Sequence, residues 1–176
     1  METVDQVKEK FILHWGEMGS LWGINRTMAQ IHALLFISDK PLSANEIMDE
    51  LAISRGNVSM ALRELIAWGI ASRVHVKGER REYYTTEKDV WTMFRMIARE
   101  RKKREVDPTI NVLRDSVAQL NAIPDANVAY EREQLQSLLN FFETSVQVYE
   151  DLETHNPNSI LKLLGTALRV KSAISS

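Results

Sequence analysis

Ser54, Arg55, Asn57, Ser59, Met60 and Arg63 lie within one short amphipathic segment, and Arg73, Lys77, Arg80 and Arg81 follow it closely. Arginine offers paired donors to guanine or phosphate. Asparagine and serine read a base edge or bind phosphate. On a helical wheel Val58, Leu62, Leu65 and Ile66 cluster on one side. Gly56, Ser59, Met60, Arg63 and Ala67 fall opposite, with Asn57 on the flank. A surface helix ordinarily fills its outer face with Glu and Lys. Small residues with an arginine instead suit a helix that approaches a groove floor, and the N–H groups after Ser54 suit a phosphate. The competing reading is a core helix with a short polar surface.

The elements that must position this helix flank it. Ser43 and Glu46 have capping-box spacing and open a helix Ala44–Leu51, with Ile47, Met48 and Leu51 inward. Ala52 and Ile53 make the turn, Ser54 caps the next helix, and Gly69 ends it after Trp68. Alternation takes over at Ala71–Lys77, with Arg73, His75 and Lys77 on one face and Val74 and Val76 on the other. Gly78 and Glu79 form a turn, and Arg81–Thr85 returns as a second strand. Helix, turn, helix and basic hairpin is the order of a winged helix-turn-helix. The predicted fold class is mainly α with a small β-hairpin wing, a winged helix-turn-helix extended by additional N- and C-terminal helices.

Before the reader, Val4, Val7, Phe11, Trp15, Met18 and Trp22 recur at helical spacing, and Gly19 and Gly23 suggest that helix's end. Asn25 caps a helix Arg26–Ile37 striped with Met28, Ile31, Leu34 and Leu35. After the hairpin, Thr86 is expected to start a helix to about Arg104 that buries Val90, Trp91, Phe94, Ile97 and Ala98. Asp107-Pro108 starts another, with Ile110, Leu113, Val117 and Leu120 inward. Leu135, Phe142 and Tyr149 recur every seven residues in a long helix Ala126–His155, joined by Leu138, Leu139, Val146 and Leu152. Such a seam favours packing against another helix. Ser159–Val170 is a last expected helix. The organisation is an N-terminal helix over 1–25, a reader over 26–104 and a C-terminal helical region over 105–176.

The net charge of −2 conceals an asymmetry. Residues 54–104 hold 13 Lys/Arg and 6 Asp/Glu, a balance of +7, against −9 for the remainder. Binding to phosphate depends on the local basic face, so overall acidity is no bar. There is no cysteine, no uninterrupted apolar run long enough for a membrane span, and no signal-peptide core in METVDQVKEK. These features predict a cytoplasmic protein without membrane association. The four histidines are scattered, and neither HExxH nor a phosphate-binding loop occurs. No enzyme, cofactor or metal site is therefore expected.

PLSANEI, the helix ending LIAWGIA, and RVHVKGERREYYTTEKDVW resemble the GbsR branch of the MarR-like transcriptional regulators. GINRTMAQIHALL resembles it too, and the pattern WG-x6-VKGxRxxYY starting at Trp68 is quite specific to that branch. The resemblance spans roughly residues 16–105. It implies a homodimeric winged-helix protein, often a repressor, on a pseudo-palindromic operator in double-stranded DNA, with first and last helices interlocking between protomers. Glu79-Arg80 loosely matches the acidic-residue–arginine wing tip of that family. Some members of the branch are linked to choline or glycine betaine metabolism, which implies a small-molecule effector held by an aromatic box. Trp15, Trp22, Trp91 and Phe94, with Tyr149, are the residues from which its walls would come. The residues themselves leave open a regulator with no ligand, and a winged helix that binds protein in a chromosome or transcription assembly.

Overall fold

In the computed structural model, which describes residues 2–124 and 128–154 with side chains through 151, backbone packing forms two units, 1–97 and 98–176. The first holds α1 (Val4–Leu21), α2 (Arg26–Ile37), β1 (Leu42–Ser43), α3 (Ala44–Leu51), α4 (Arg55–Ala67), β2 (Ala71–Val74), β3 (Tyr83–Thr86) and the start of α5 (Val90–Arg101). Local signals set most of these limits. Thr3 and Gln6 form one capping box and Ser43 and Glu46 another, while Asn25 accepts from the Met28 N–H. Gly69, at φ +74°, takes the chain out of α4 through the left-handed region that favours glycine. Ala52 occupies the same region, φ 50°, in the α3–α4 turn, where a Cβ costs about 1–2 kcal/mol.

Met28, Ile31, Leu35, Ile47, Val58 and Leu65 are almost wholly enclosed at the centre of this unit. Three helices thus bury their apolar stripes against one another, and Leu42, Ile70, Ala71 and Tyr84 extend the core to the sheet. The sheet order is β1-β3-β2, both pairs antiparallel, with Leu42 opposite Tyr84 and Ala71 opposite Thr86.

The face of α1 differs from the expected one. Ile12, Gly16 and Gly19 are its buried positions, whereas Val4, Val7 and Trp22 are exposed. The two glycines bring α1 close to α2: a Cβ on Gly19 would fall 2.5 Å from Ala29 Cβ, and one on Gly16 2.6 Å from Gln30 Cγ. Gly19 therefore lies inside the helix as a packing residue, and Gly23, at φ +76°, follows the helix end. Gly19→Val should destabilise the protein by about 1–3 kcal/mol, because α2 cannot yield without disturbing the core. Urea denaturation reads this directly, and an unchanged midpoint would mean that α1 does not depend on this contact.

Two further expectations need correction. The hairpin ladder is shorter than predicted: β2 stops at Val74 and β3 begins at Tyr83, so residues 75–82 project beyond the paired strands. Thr86 ends β3 rather than starting a helix, and on α5 Met93 is buried while Val90, Trp91 and Phe94 are exposed. Helical periodicity defines an apolar face but does not say whether this chain alone covers it.

In the second unit a π-helical turn, Lys102–Val106, runs into α6 (Asp107–Ala122) in place of a break. Pro108 supplies no N–H, so the irregular turn falls where one helical hydrogen bond is necessarily missing. Lys102 Nζ reaches Asp107 at 3.0 Å and Glu150 at 3.4 Å, and these carboxylates, Asp107 foremost, raise its pKa. Ile110, Leu113 and Val117 pack against Leu139 of α7 (Ala129–Thr154), flanked by Leu135, Phe142 and Val146. Arg132 closes the end of α6 by donating to Leu120 O at 2.8 Å and Ile123 O at 3.2 Å. The helix expected at Ser159–Val170 lies outside the described residues.

Candidate nucleic-acid interface

Val58, Ala61, Leu62 and Leu65 fix α4 to the core, leaving Arg55, Gly56, Asn57, Ser59, Met60 and Arg63 exposed. Ser54 Oγ accepts from the Asn57 N–H at 3.4 Å, which leaves its own hydroxyl hydrogen and the first N–H groups of the helix directed outward. Beyond the helix's own nearby backbone, nothing lies within 4 Å of the place a Cβ on Gly56 would take, so the glycine opens a notch in the exposed face. Arg63 Nε donates to Ser59 O at 3.2 Å. This lays the guanidinium along the helix and leaves its terminal nitrogens for a bidentate acceptor.

The wing rises beside this face. Gly78 turns at φ +90°, the Glu79 N–H donates to Val76 O at 3.1 Å, and Lys77, Arg80 and Arg81 stand exposed. Arg73 differs from these three. It pairs with Glu82 at 3.7 Å, and the same carboxylate oxygen accepts from Tyr84 O–H at 2.9 Å. A phosphate would have to compete with Glu82 for Arg73, whereas among the described residues no carboxylate lies within 4 Å of Arg80 or Arg81.

Three groups that sequence reasoning missed hold wing and helix as one body. Thr86 Oγ1 donates to Ile70 O at 2.7 Å, and the Glu87 N–H reaches the same carbonyl at 3.2 Å, tying the base of β3 to the exit of α4. Lys88 Nζ donates to Leu35 O, Phe36 O and Ser38 O at 2.6, 2.9 and 2.7 Å. A cation thus closes the C-terminal end of α2, where the carbonyl dipoles favour it. Burial lowers the Lys88 pKa, with Asp39 opposing the shift. Glu82 is the third, through Arg73. No short-range pattern in the chain announces these pairings; folding brings Thr86 to Ile70, Lys88 to the end of α2, and Glu82 to Arg73.

The four aromatic candidates do not form a single box. Trp15 and Trp22 meet edge to face at 6.2 Å, and Trp15 also touches Phe11 and His32. Trp91 and Phe94 lie on α5, 51% and 57% exposed, and among the described residues no ring contact joins them to the first pair. Among the described residues no cluster of His, Cys, Asp or Glu could hold a metal, and no helix is long and apolar enough to cross a membrane.

Residues 22–82, from the end of α1 through the wing tip, match the model of the MarR family. This reader segment is similar to the MarR family. Among curated proteins, the HTH-type transcriptional repressor OpcR of Bacillus subtilis (strain 168) is 24% identical over 94 residues, 53% of this chain and 51% of OpcR. GbsR of the same organism, also an HTH-type transcriptional repressor, is 22% identical over 154 residues, 86% of this chain and 84% of GbsR. The chain therefore spans about half the length of one relative and most of the other. A crystal structure of a transcriptional regulator shares the fold with a TM-score of 0.55 at 23% identity, covering 82% of this chain and 99% of that one. The winged-helix class expected from the sequence, mainly helical with a small antiparallel sheet, is the observed one.

Proposed function

We propose that this protein is a sequence-specific DNA-binding transcriptional regulator, acting as a repressor and as a homodimer on a pseudo-palindromic operator. The observation that carries this reading is the exposed face of α4, with its Gly56 notch, Asn57, Ser59, Met60 and Arg63, standing beside a wing with exposed Arg80 and Arg81. The α4 face enters the major groove and reads base edges. The helix N-terminus with Ser54 and Arg55, and Lys77, Arg80 and Arg81 on the wing, meet the backbone. The MarR-like relatives OpcR and GbsR, both named as repressors, support the same role.

Homodimerisation is supported by large apolar side chains that stand exposed among the described residues of both units. Val4, Val7 and Leu21 are exposed on α1, and Leu138, Phe141 and Val148 on α7. Such exposure is ordinarily covered by association. Two readers held in this way address half-sites about 34–36 Å apart. A small cationic effector such as choline or glycine betaine would find the Trp15–Trp22 edge or the Trp91–Phe94 surface available. Quenching of tryptophan fluorescence on titration with either compound tests that part of the reading.

Fluorescence polarisation with the DNA upstream of its own gene and with scrambled DNA, at two salt concentrations, tests the main reading. Tighter, salt-dependent binding to specific DNA is expected. Arg63→Ala should weaken specific binding by about 1–3 kcal/mol, the worth of a bidentate arginine–guanine pair, and leave scrambled DNA almost unaffected. Equal losses on both DNAs would deny Arg63 a reading role. Arg80→Ala and Arg81→Ala should weaken binding to every sequence and flatten the salt dependence by about one ion each. Absence of binding to any DNA at low salt would move the assignment to a protein-binding winged helix.

A further inference from the structure

Met60 is the odd residue on the reading face. It is 56% exposed and, among the described residues, the only large apolar side chain of α4 that is. A thioether there gains nothing in water. One turn earlier Gly56 leaves its notch. A helical side chain leans toward the helix N-terminus, so the Met60 thioether is carried toward the Gly56 side of the exposed face, while no side chain comes within 4 Å of the glycine's missing Cβ. The flanks are polar: Asn57 precedes Met60 by three positions and Arg63 follows it by three.

The feature of a major-groove floor that matches a lone exposed apolar side chain is the 5-methyl group of a pyrimidine. Thymine carries one, cytosine carries one only when methylated, and no other base edge there is apolar. Methionine suits the task because its unbranched, polarizable side chain adapts to a small apolar partner. Three helical residues advance roughly 4.5 Å, against roughly 3.4 Å for a base step. Met60 and Arg63 therefore address base pairs about one step apart.

We propose that Met60 is a specificity-determining residue that reads a pyrimidine 5-methyl group in each half-site, about one base step from the guanine addressed by Arg63. The inference rests on the assignment of α4 as a DNA reader and adds to it the chemistry of one base.

The test uses the full-length protein and duplexes that it selects from a randomised pool. Each thymine of the selected consensus is replaced singly by uracil, which removes only the methyl group. Each cytosine is separately replaced by 5-methylcytosine. In the first arm, one thymine-to-uracil change per half-site, next to the guanine to which Arg63→Ala becomes indifferent, weakens binding about fourfold, the worth of one buried methyl group. In the second, 5-methylcytosine at that position tightens binding by a similar factor. The first result assigns the methyl to thymine and the second to methylated DNA. Either effect must vanish in Met60→Ala and persist in Met60→Leu, which keeps an apolar side chain. Silence of every methyl change, or equal sensitivity in Met60→Ala, overturns the proposal and leaves DNA binding intact. Failure to enrich any duplex overturns the reader assignment itself, a distinguishable outcome. Met60 is exposed on an intact helix, so neither variant should impair folding.

Discussion

Gly56→Glu removes specific DNA binding, by more than about a hundredfold, and leaves the fold untouched. The position is open: beyond the helix's own nearby backbone, a Cβ added there meets nothing within 4 Å, and the backbone is helical. In a groove the same side chain carries a carboxylate between two phosphate backbones, and like charges held together cost several kcal/mol. Gly56→Gln separates shape from charge. It should lose less, because the amide has similar bulk without the repulsion. Gly56→Ala should raise stability by about 0.5–1 kcal/mol, since glycine is a poor helix former, and weaken DNA binding modestly. Binding isotherms paired with thermal melts check the set. Undiminished DNA binding by Gly56→Glu would mean that the N-terminal part of α4 stays outside the groove.

The second large effect is acid sensitivity through His32. This residue is buried on α2 against the rings of Trp15 and Phe36, each 6.4 Å away between centroids. Its Nε2 has no hydrogen-bond partner among the described residues. Burial, and secondarily the Lys88 ammonium, lower its pKa from 6.5 to about 4. The unfolded chain therefore takes up a proton as pH falls through 6.5, while the folded chain resists until about 4. Stability is full above the upper value and declines between the two, by about 2 kcal/mol at pH 5 and about 3 kcal/mol once both states are protonated. Glu46 and Asp89 act lower. Hydrogen bonds from Ser43 and Thr92 respectively hold their pKa values below 4.5 and 3.8, so their contributions are lost only as pH falls below those values. His32→Phe keeps a ring in place and removes the titration. Its denaturation midpoint should vary little between pH 7 and 5 while that of the parent falls. Parallel profiles for the two proteins would assign the acid sensitivity elsewhere.

Local features of the chain were legible because their partners are a few residues away. The Ser43–Glu46 capping box, the Asn25 and Ser54 caps and the left-handed Gly69 all close hydrogen bonds within three to five positions. The apolar stripe of α4 fixed in advance which side of that helix would remain exposed, because three of its four wheel positions, Val58, Leu62 and Leu65, are the ones buried. The same logic made Arg63, Met60 and the wing arginines visible as surface residues before any fold was known.

Lys88 shows where this reasoning stops. Its three acceptors lie 50 to 53 residues earlier in the chain, and no local pattern connects them. Thr86 and Ile70 are 16 apart, and Arg73 meets Glu82 only because β2 and β3 pair. Gly19 read as a helix end because glycine is a poor helix former, yet it lies in α1 because Ala29 approaches too closely for any side chain. Val4, Val7, Trp91 and Phe94 carry helical periodicity, but burial depends on what else packs there, and this chain leaves them exposed. The sequence by itself determined the order of elements, the winged-helix class and the composition of the reading face, since these follow from short-range periodicity and capping. Only the tertiary structure decided which of the described cations are engaged, which glycines permit close packing, and which apolar side chains stay exposed, because each depends on atoms that folding alone brings together.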